Sequence, residues 1–302
     1  MSLALIFSGQ GHQHAGMLPW LAPDTLTQAV CERLIVADWR AAMADPAWAR
    51  RNRNAQLLIT ATALAAWRQL ADELPEPLGI AGYSVGELAA FGAAGVLAPA
   101  DAVALAAQRA ELMDQAGQAT PGGLMGVSGL GRDALLSLLR DTPLAIAISN
   151  GEDRVVLGGP QRALDDFEPL AGSHGARCTR LAVDVASHTA AMQPAADGFA
   201  ERLRLVRFET PHWPLFSNTA ERIWRADAAR DALARQIAST VQWDDCMDQL
   251  AMRAPRCVLE IGGGHALAVL WNQRHPDIPA RSADEFRTRQ GLSRWVAQCC
   301  NA

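Results

Sequence analysis

The 302 residues contain no lysine; all 27 basic side chains are arginine. That absence removes every mechanism that needs a lysine base, a Schiff-base amine or a lysine clamp on phosphate. Cysteine is sparse: the six are Cys31, Cys178, Cys246, Cys257, Cys299 and Cys300, with no Cys-x-x-Cys pair. The usual zinc and dithiol motifs are therefore missing and no metal site is expected. Scattered thiols fit a reducing compartment, so a cytoplasmic location is expected. No apolar run reaches membrane-spanning length, because Glu87, Pro99 and Asp101 break the longest alanine-rich region. The start, Met1 to Phe7, has no basic leader and reads as a first strand, not a signal peptide. The net charge of -5 gives no reason to expect nucleic acid or an anionic membrane as partner. Gly262-Gly263-Gly264 follows an apolar run, but the full Gly-x-Gly-x-x-Gly of a dinucleotide loop is absent.

What is present is a chain that is 50% hydrophobic, ample for one large domain or one large plus one small. Leu3 to Phe7 is a continuous apolar run, as expected of a buried parallel strand. Residues 24–74 read as helical with a break near Pro46, and Trp67 is expected in the core. Pro99 and Asp101 look like the start of a helix running to about Met113. After Thr120-Pro121-Gly122-Gly123 the texture changes. Strands are expected at 124–127, 144–148, 155–157 and 180–185, with helices at 133–139 and 161–170. That order, βαββαβ, is the split pattern of a ferredoxin-like unit. The outer segments alternate strand and helix, which predicts a parallel sheet covered on both faces. The expected fold is α/β: a parallel-sheet, α/β-hydrolase-like large domain (1–120 and 190–302) interrupted by a ferredoxin-like subdomain (121–189).

The sharpest motif is Gly82-Tyr83-Ser84-Val85-Gly86, between the apolar run 78–81 and the helix-like 87–91. Strand, tight turn with serine at its tip, then helix is a nucleophile elbow. The glycines leave room where the helix turns back on the strand, and the serine Oγ sits at a helix N-terminus where free N–H groups meet negative charge. A serine needs a base. Of the seven histidines, His188 follows the expected strand 181–185 where the small domain returns the chain to the large one, so it could overhang a cleft carrying Ser84. His265 is the rival, late in the chain as in ordinary α/β-hydrolases. Asp184 is a poor triad acid, because alternation points it away from the His188 side. Taken alone, Arg109 reads as a surface arginine pairing with Glu111 or Asp114.

Six landmarks in order resemble the malonyl-CoA:acyl-carrier-protein transacylase family over nearly the whole chain. They are Ser8-Gly9-Gln10-Gly11-His12-Gln13, the elbow with Glu87, Gln108-Arg109, Ser187-His188, Arg235-Gln236, and the pair Val241-Gln242-Trp243 with Glu260-Ile261-Gly262-Gly263-Gly264. The resemblance implies a Ser84 nucleophile, a His188 base helped by Gln236, and an oxyanion hole from the backbone N–H groups of Gln10 and Val85. It implies Arg109 as the grip on a substrate carboxylate, coenzyme A thioester as substrate rather than bound cofactor, and an acyl carrier protein as partner. The Tyr-Val elbow and the opening loop look most like the malonate decarboxylase ε-subunit branch. That branch implies the carrier subunit and other subunits of that enzyme as partners, with the fatty-acid-synthesis transacylase as the alternative.

Several positions depart from the family pattern. Tyr83, the only tyrosine, stands where histidine is usual; Ser8 replaces a proline; His12 stands where serine is common. Asn150 remains in a segment that lacks its usual neighbours, and the closing Gly-Pro-Gly is Gly-Gly-Gly. His12, Tyr83 and Asn150 are accordingly expected near the acyl pocket. Two readings of other classes compete: a serine esterase using Ser84 and His265, and a non-catalytic carrier-docking subunit. Arg132, Arg177 and Arg180 are candidates for a basic docking patch.

Overall fold

A computed structural model describes residues 2–219 and 222–301. The chain opens with β1 (Leu3–Phe7), followed by α1 (Thr25–Leu34), α2 (Trp39–Ala42), α3 (Pro46–Arg50) and α4 (Asn52–Leu70). Next come β2 (Pro77–Gly82), α5 (Gly86–Ala93) and α6 (Pro99–Ala119). The middle segment runs β3 (Gly122–Ser128), α7 (Arg132–Leu139), β4 (Ala145–Gly151), β5 (Arg154–Pro160), α8 (Gln161–Ser173) and β6 (Arg177–Arg180). The chain then continues through α9 (Gln193–Leu203), β7 (Leu215–Phe216), β8 (Arg222–Ile223), α10 (Ala226–Arg235), β9 (Val241–Gln242) and α11 (Trp243–Ala251). It ends with β10 (Cys257–Ile261), α12 (Ala266–Arg274), β11 (Ala280–Ser282) and α13 (Arg289–Asn301).

Two sheets result. The first has the order β11-β10-β1-β2-β7-β8, parallel except for the β7–β8 pair. Its central strand β1 is buried throughout, which explains its unbroken apolar text. Alternation still operates: Leu3, Leu5 and Phe7 join one core, while Ala4 and Ile6 join the core on the opposite face. The second sheet has the order β6-β3-β5-β4-β9. Its first four strands pair antiparallel, and β9 joins parallel to β4. The sequence reading assigned four strands to this unit; the fifth comes from the outer segment, so the two lobes share a sheet edge. A second difference concerns the expected strand 180–185. Pairing with β3 covers Arg177–Arg180 and ends with the Leu181 N–H on the Leu124 carbonyl. Beyond it the chain leaves the edge of the sheet to cross to the large lobe, so these apolar residues line the cleft instead of a ladder. No helix among the described residues is long and apolar enough to cross a membrane.

Parallel strands carry their loops to one edge, and in open α/β sheets the crevice forms where successive connections diverge. Here β1 connects toward β2 and β10 toward β11, so the loops after β1 and β10 diverge beside the elbow that follows β2. The packing at the elbow is tight. A Cβ built on Gly82 falls 2.2 Å from the Gly86 carbonyl oxygen, and one on Gly86 falls 2.4 Å from the Phe7 carbonyl oxygen. Gly172 in α8 faces open space. Gly82→Ala and Gly86→Ala should each lower Tm by about 5 °C or more, because backbone cannot yield as a side chain can. Gly172→Ala should leave Tm unchanged or slightly raised. Thermal unfolding of the three variants checks this.

Candidate active site

Ser84 occupies the tip of the turn between β2 and α5 with φ of 55°, the left-handed region that a serine adopts only when its surroundings demand it. Asn218, just past the end of β7, supplies part of that demand. Its Oδ1 accepts the Ser84 N–H at 2.6 Å, and its Nδ2 donates to the Gly82 carbonyl. The Asn218 N–H in turn donates to the Glu87 carboxyl, which burial pushes up to about 8, against the pull of that N–H, of Ser217 and of Arg109. One side chain thus clips both strands of the elbow turn. The loop after β1 lies against it: the Tyr83 N–H donates to the Phe7 carbonyl at 2.9 Å, and Gly9 is close enough that a Cβ would fall 2.7 Å from the Tyr83 carbonyl oxygen.

His188 Nε2 lies 2.8 Å from Ser84 Oγ. Its Nδ1 lies 2.7 Å from the Gln236 carbonyl oxygen, and its backbone N–H donates to the Ile237 carbonyl at 2.9 Å. A carbonyl only accepts, so the Nδ1 carries the proton and Nε2 presents its lone pair to the serine hydroxyl. Both carbonyls lie at the exit of α10, on its C-cap Gln236 and on Ile237 in the turn that follows, where the chain's C=O groups are free of helix partners. The end of a helix therefore does the orienting that an acidic residue performs in a Ser-His-Asp triad. It also puts the negative end of the helix dipole beside a ring that must become positive. Burial, with Arg109 adding repulsion and the Gln236 carbonyl opposing, lowers the imidazole from 6.5 to about 3. His188 is thus a neutral, available base at ordinary pH.

Arg109 is 1% exposed on α6. Its Nη1 donates to Gln56 Oε1 at 2.8 Å and its Nη2 to Gln236 Oε1 at 3.5 Å, while its Nε has no partner. Among the described residues no carboxylate pairs with it. Burial lowers it to about 10, with Glu87 opposing, so it stays a cation. A buried cation with an open donor is a site for an anion.

Ser84, His188 and Arg109 line one cleft of about 910 Å³ between the lobes, together with Gln10 and Asn150. Tyr83 also lines it; its ring packs edge-on against Trp243 and burial raises its hydroxyl to about 12, with Asn150 opposing. His12 stands at the exposed rim beside His265; burial and then His265 lower it. His265 therefore lines the same cleft, but the imidazole bonded to the serine is that of His188. Val85, next to Ser84, is the N-cap of α5 and makes no side-chain cap hydrogen bond. Arg180 lines the cleft and pairs with Asp165, while Arg132 begins α7 and Arg177 begins β6. The sequence reading missed Gln56 and Asn218. Gln56 was findable as an amide within the apolar run of α4, where Asn54 is buried too; Asn218 had only its place after a short strand.

A serine hydroxyl within hydrogen-bond distance of an imidazole, in a cleft that also holds a buried guanidinium, is an arrangement suited to acyl transfer chemistry. The chain belongs to the acyl transferase domain family, whose profile matches residues 4–276. It is 34% identical to the malonyl CoA-acyl carrier protein transacylase of Mycobacterium tuberculosis, over 93% of this chain and 95% of that protein. It is 30% identical to that of Haemophilus influenzae, over 97% and 98%. Among solved structures, a Xanthomonas oryzae malonyl-CoA:acyl carrier protein transacylase superposes with TM-score 0.89 at 28% identity, covering 98% of each chain. A malonyl-transacylase in complex with its type II PKS acyl-carrier protein gives 0.89 at 26%, covering 97% of this chain and 99% of that one.

Two outcomes follow from the geometry. An ordinary imidazole would lose its base form on acidification through 6.5, whereas a lowered one keeps it; kcat/KM should therefore stay flat from about pH 6.5 down to 5. A half-loss centred near 6.5 would contradict the buried neutral base. Asn218→Ala should cut kcat by about tenfold or more, because Ser84 loses its brace, with substrate KM nearly unchanged. Steady-state kinetics separate the two constants.

Proposed function

We propose that the protein moves a malonyl group from malonyl-CoA, through a Ser84 acyl-enzyme, to the prosthetic-group thiol of an acyl carrier protein. Ser84 Oγ attacks the thioester carbonyl carbon while His188 Nε2 takes its proton. The tetrahedral oxyanion meets the backbone N–H groups of Val85 and Gln10, one such donor lowering the barrier by about 3 kcal/mol. Collapse breaks the C–S bond, and the imidazolium returns the proton to the departing coenzyme A sulfur. The carrier thiol then gives its proton to His188, attacks the ester carbonyl, and Ser84 leaves with that proton restored. Gln236 holds the base through its carbonyl and Arg109 through its side chain. Coenzyme A thioester is substrate, and no step calls for a bound cofactor.

The single observation that carries the acid substrate is the buried, carboxylate-free Arg109 guanidinium. Two parallel hydrogen bonds from guanidinium suit a free carboxylate. An acetyl group would leave the cation unpaired, a cost of about 3–5 kcal/mol where a buried pair is broken. The relatives are named as malonyl CoA-acyl carrier protein transacylases, which favours transfer to an acyl carrier protein, as a fatty-acid-synthesis transacylase would do, over the malonate decarboxylase reading. A second reading, the carrier subunit of malonate decarboxylase and its other subunits, is favoured by Tyr83 and Val85 in the elbow. We further read residues 121–189 as an inserted ferredoxin-like subdomain of a hydrolase-like large domain. The strand order β6-β3-β5-β4 supports that reading.

Intact-mass measurement after brief exposure to malonyl-CoA should find a malonyl adduct that Ser84→Ala abolishes. Adding candidate carriers should discharge it onto one of them, and the carrier that accepts it selects between the two readings. Arg109→Ala should lose malonyl loading by about a hundredfold while acetyl loading changes little. Equal losses for both acyl groups would sink the assigned role.

A further inference from the structure

Arg109 is attached to a row of side chains that runs from the acyl pocket to the far side of the α4–α6 packing. Its Nη1 donates to Gln56 Oε1 at 2.8 Å, and Gln56 Nε2 donates to Asn52 Oδ1 at 2.7 Å. Asn52 Nδ2 donates to Asp114 Oδ1 at 2.9 Å and to the Ala110 carbonyl at 3.3 Å. Asn52 and Gln56 are one turn apart on α4, as are Ala110 and Asp114 on α6, so the row is a ladder between two packed helices. Its outer end borders a second cavity of about 170 Å³ that Asn52, Asp114 and Gln10 line, and Asn52 and Gln10 also line the acyl cleft.

The polarity of this row matters more than its length. A guanidinium only donates, so Gln56 must present oxygen to it. An amide turned over offers its NH2 group instead, at almost the same shape and volume. Gln56 keeps its oxygen inward while Asn52 takes its outward NH2, and Asn52 keeps its oxygen toward Gln56 while acceptors on α6 hold its own NH2. An ionised carboxylate at Asp114 offers acceptor atoms alone, so it anchors one direction. With Asp114 replaced by an apolar side chain, Asn52 can turn its NH2 toward Gln56 Oε1 and compete with Arg109 for that oxygen. Chains of hydrogen bonds in low dielectric also strengthen one another, so the carboxylate sharpens Gln56 as an acceptor.

We propose that Asn52 and Asp114 are positioning residues for acyl selectivity: by fixing the direction of the amide row, they hold Gln56 and through it the Arg109 guanidinium in the pose that accepts a carboxylated acyl group. The inference rests on the proposed role of Arg109 and deepens it. Asp114 does not line the acyl cleft, whereas Asn52 and Gln56 do; both proposed residues act through Arg109 and not on the reacting atoms. Their effect appears in the discrimination between malonyl and acetyl groups, not in the chemistry at Ser84.

The test compares wild type, Asp114→Leu, Asn52→Leu and Asp114→Asn, measuring Ser84 loading from malonyl-CoA and acetyl-CoA side by side, with Tm for each. Asp114→Leu and Asn52→Leu should raise KM for malonyl-CoA about tenfold, with kcat and acetyl loading near wild type. Asp114→Asn offers an acceptor oxygen but also an NH2 group that can turn over, so it should lose part of the selectivity, less than Asp114→Leu loses. Wild-type selectivity in both leucine variants overturns the inference. So does an equal loss for both acyl groups that follows the fall in Tm, which marks a structural role alone. If wild type itself shows no preference for malonyl, the role of Arg109 has failed and this inference fails with it. Preference in wild type that survives in the leucine variants refutes the ladder alone.

Discussion

Arg109 is a charge kept out of water, and the site is arranged around the problem it poses. Burying an isolated cation is costly unless hydrogen bonds and an opposite charge offset it. Two side-chain amides supply part of the compensation, Gln56 and Gln236. Glu87 is the nearest acid with a resolved influence on it, yet burial pushes that carboxyl up to about 8, so near neutrality it carries little charge. The deficit is left for something that enters the cleft. A surface arginine would have been satisfied by water and could not have enforced that requirement.

Ser84 and His188 are organised by backbone groups and amides, and among the described residues no acid is hydrogen-bonded to the His188 ring. The end of α10 gives His188 two carbonyls, one for the ring and one for the main chain. The start of α5 gives Ser84 a helix N-terminus. Asn218 clips the turn that joins them to the sheet. Each of these groups is a fixed dipole rather than a titrating charge. Such dipoles need no reorganisation when charge develops, which is the basis of electrostatic preorganisation. The left-handed backbone at both Ser84 and His188, with φ of 55° and 62°, is stored strain held by those same hydrogen bonds.

Much of this was legible in the sequence, and the limits have physical causes. The elbow was readable because its glycines answer a local need: backbone passes within 2.4 Å of where their side chains would be. β1 and β10 were readable because burial on both faces erases alternation and leaves an apolar run. His188 was found at the return from the small lobe, although the strand expected before it ends at Arg180. An apolar stretch lining a cleft and one lining a sheet have the same composition, and only pairing partners distinguish them. Gln56, Asn52 and Asn218 act through partners 53, 62 and 134 positions away, and no local pattern encodes such distances. Likewise β9 is two residues long and finds its partner in the other lobe, so its role depends on tertiary packing alone.

Arg109 and His188 are electrically linked. Arg109 stands second, after burial, among the causes that lower His188. In the empty cleft the base is therefore weaker than its hydrogen bond to Gln236 would allow. In the proposed mechanism a carboxylate seated against the guanidinium would cancel the repulsion and raise the proton affinity of His188, at the moment when it takes the Ser84 proton. A neutral acyl group of the same size fills the space and leaves the repulsion in place. Discrimination then acts twice through one residue, once in binding and again in the basicity of the imidazole. That is a physical reason for the cation to lie in the same buried pocket as the base rather than at the cleft rim. There the coupling would be screened by water, as exposed charges are beyond about 8–10 Å at physiological ionic strength.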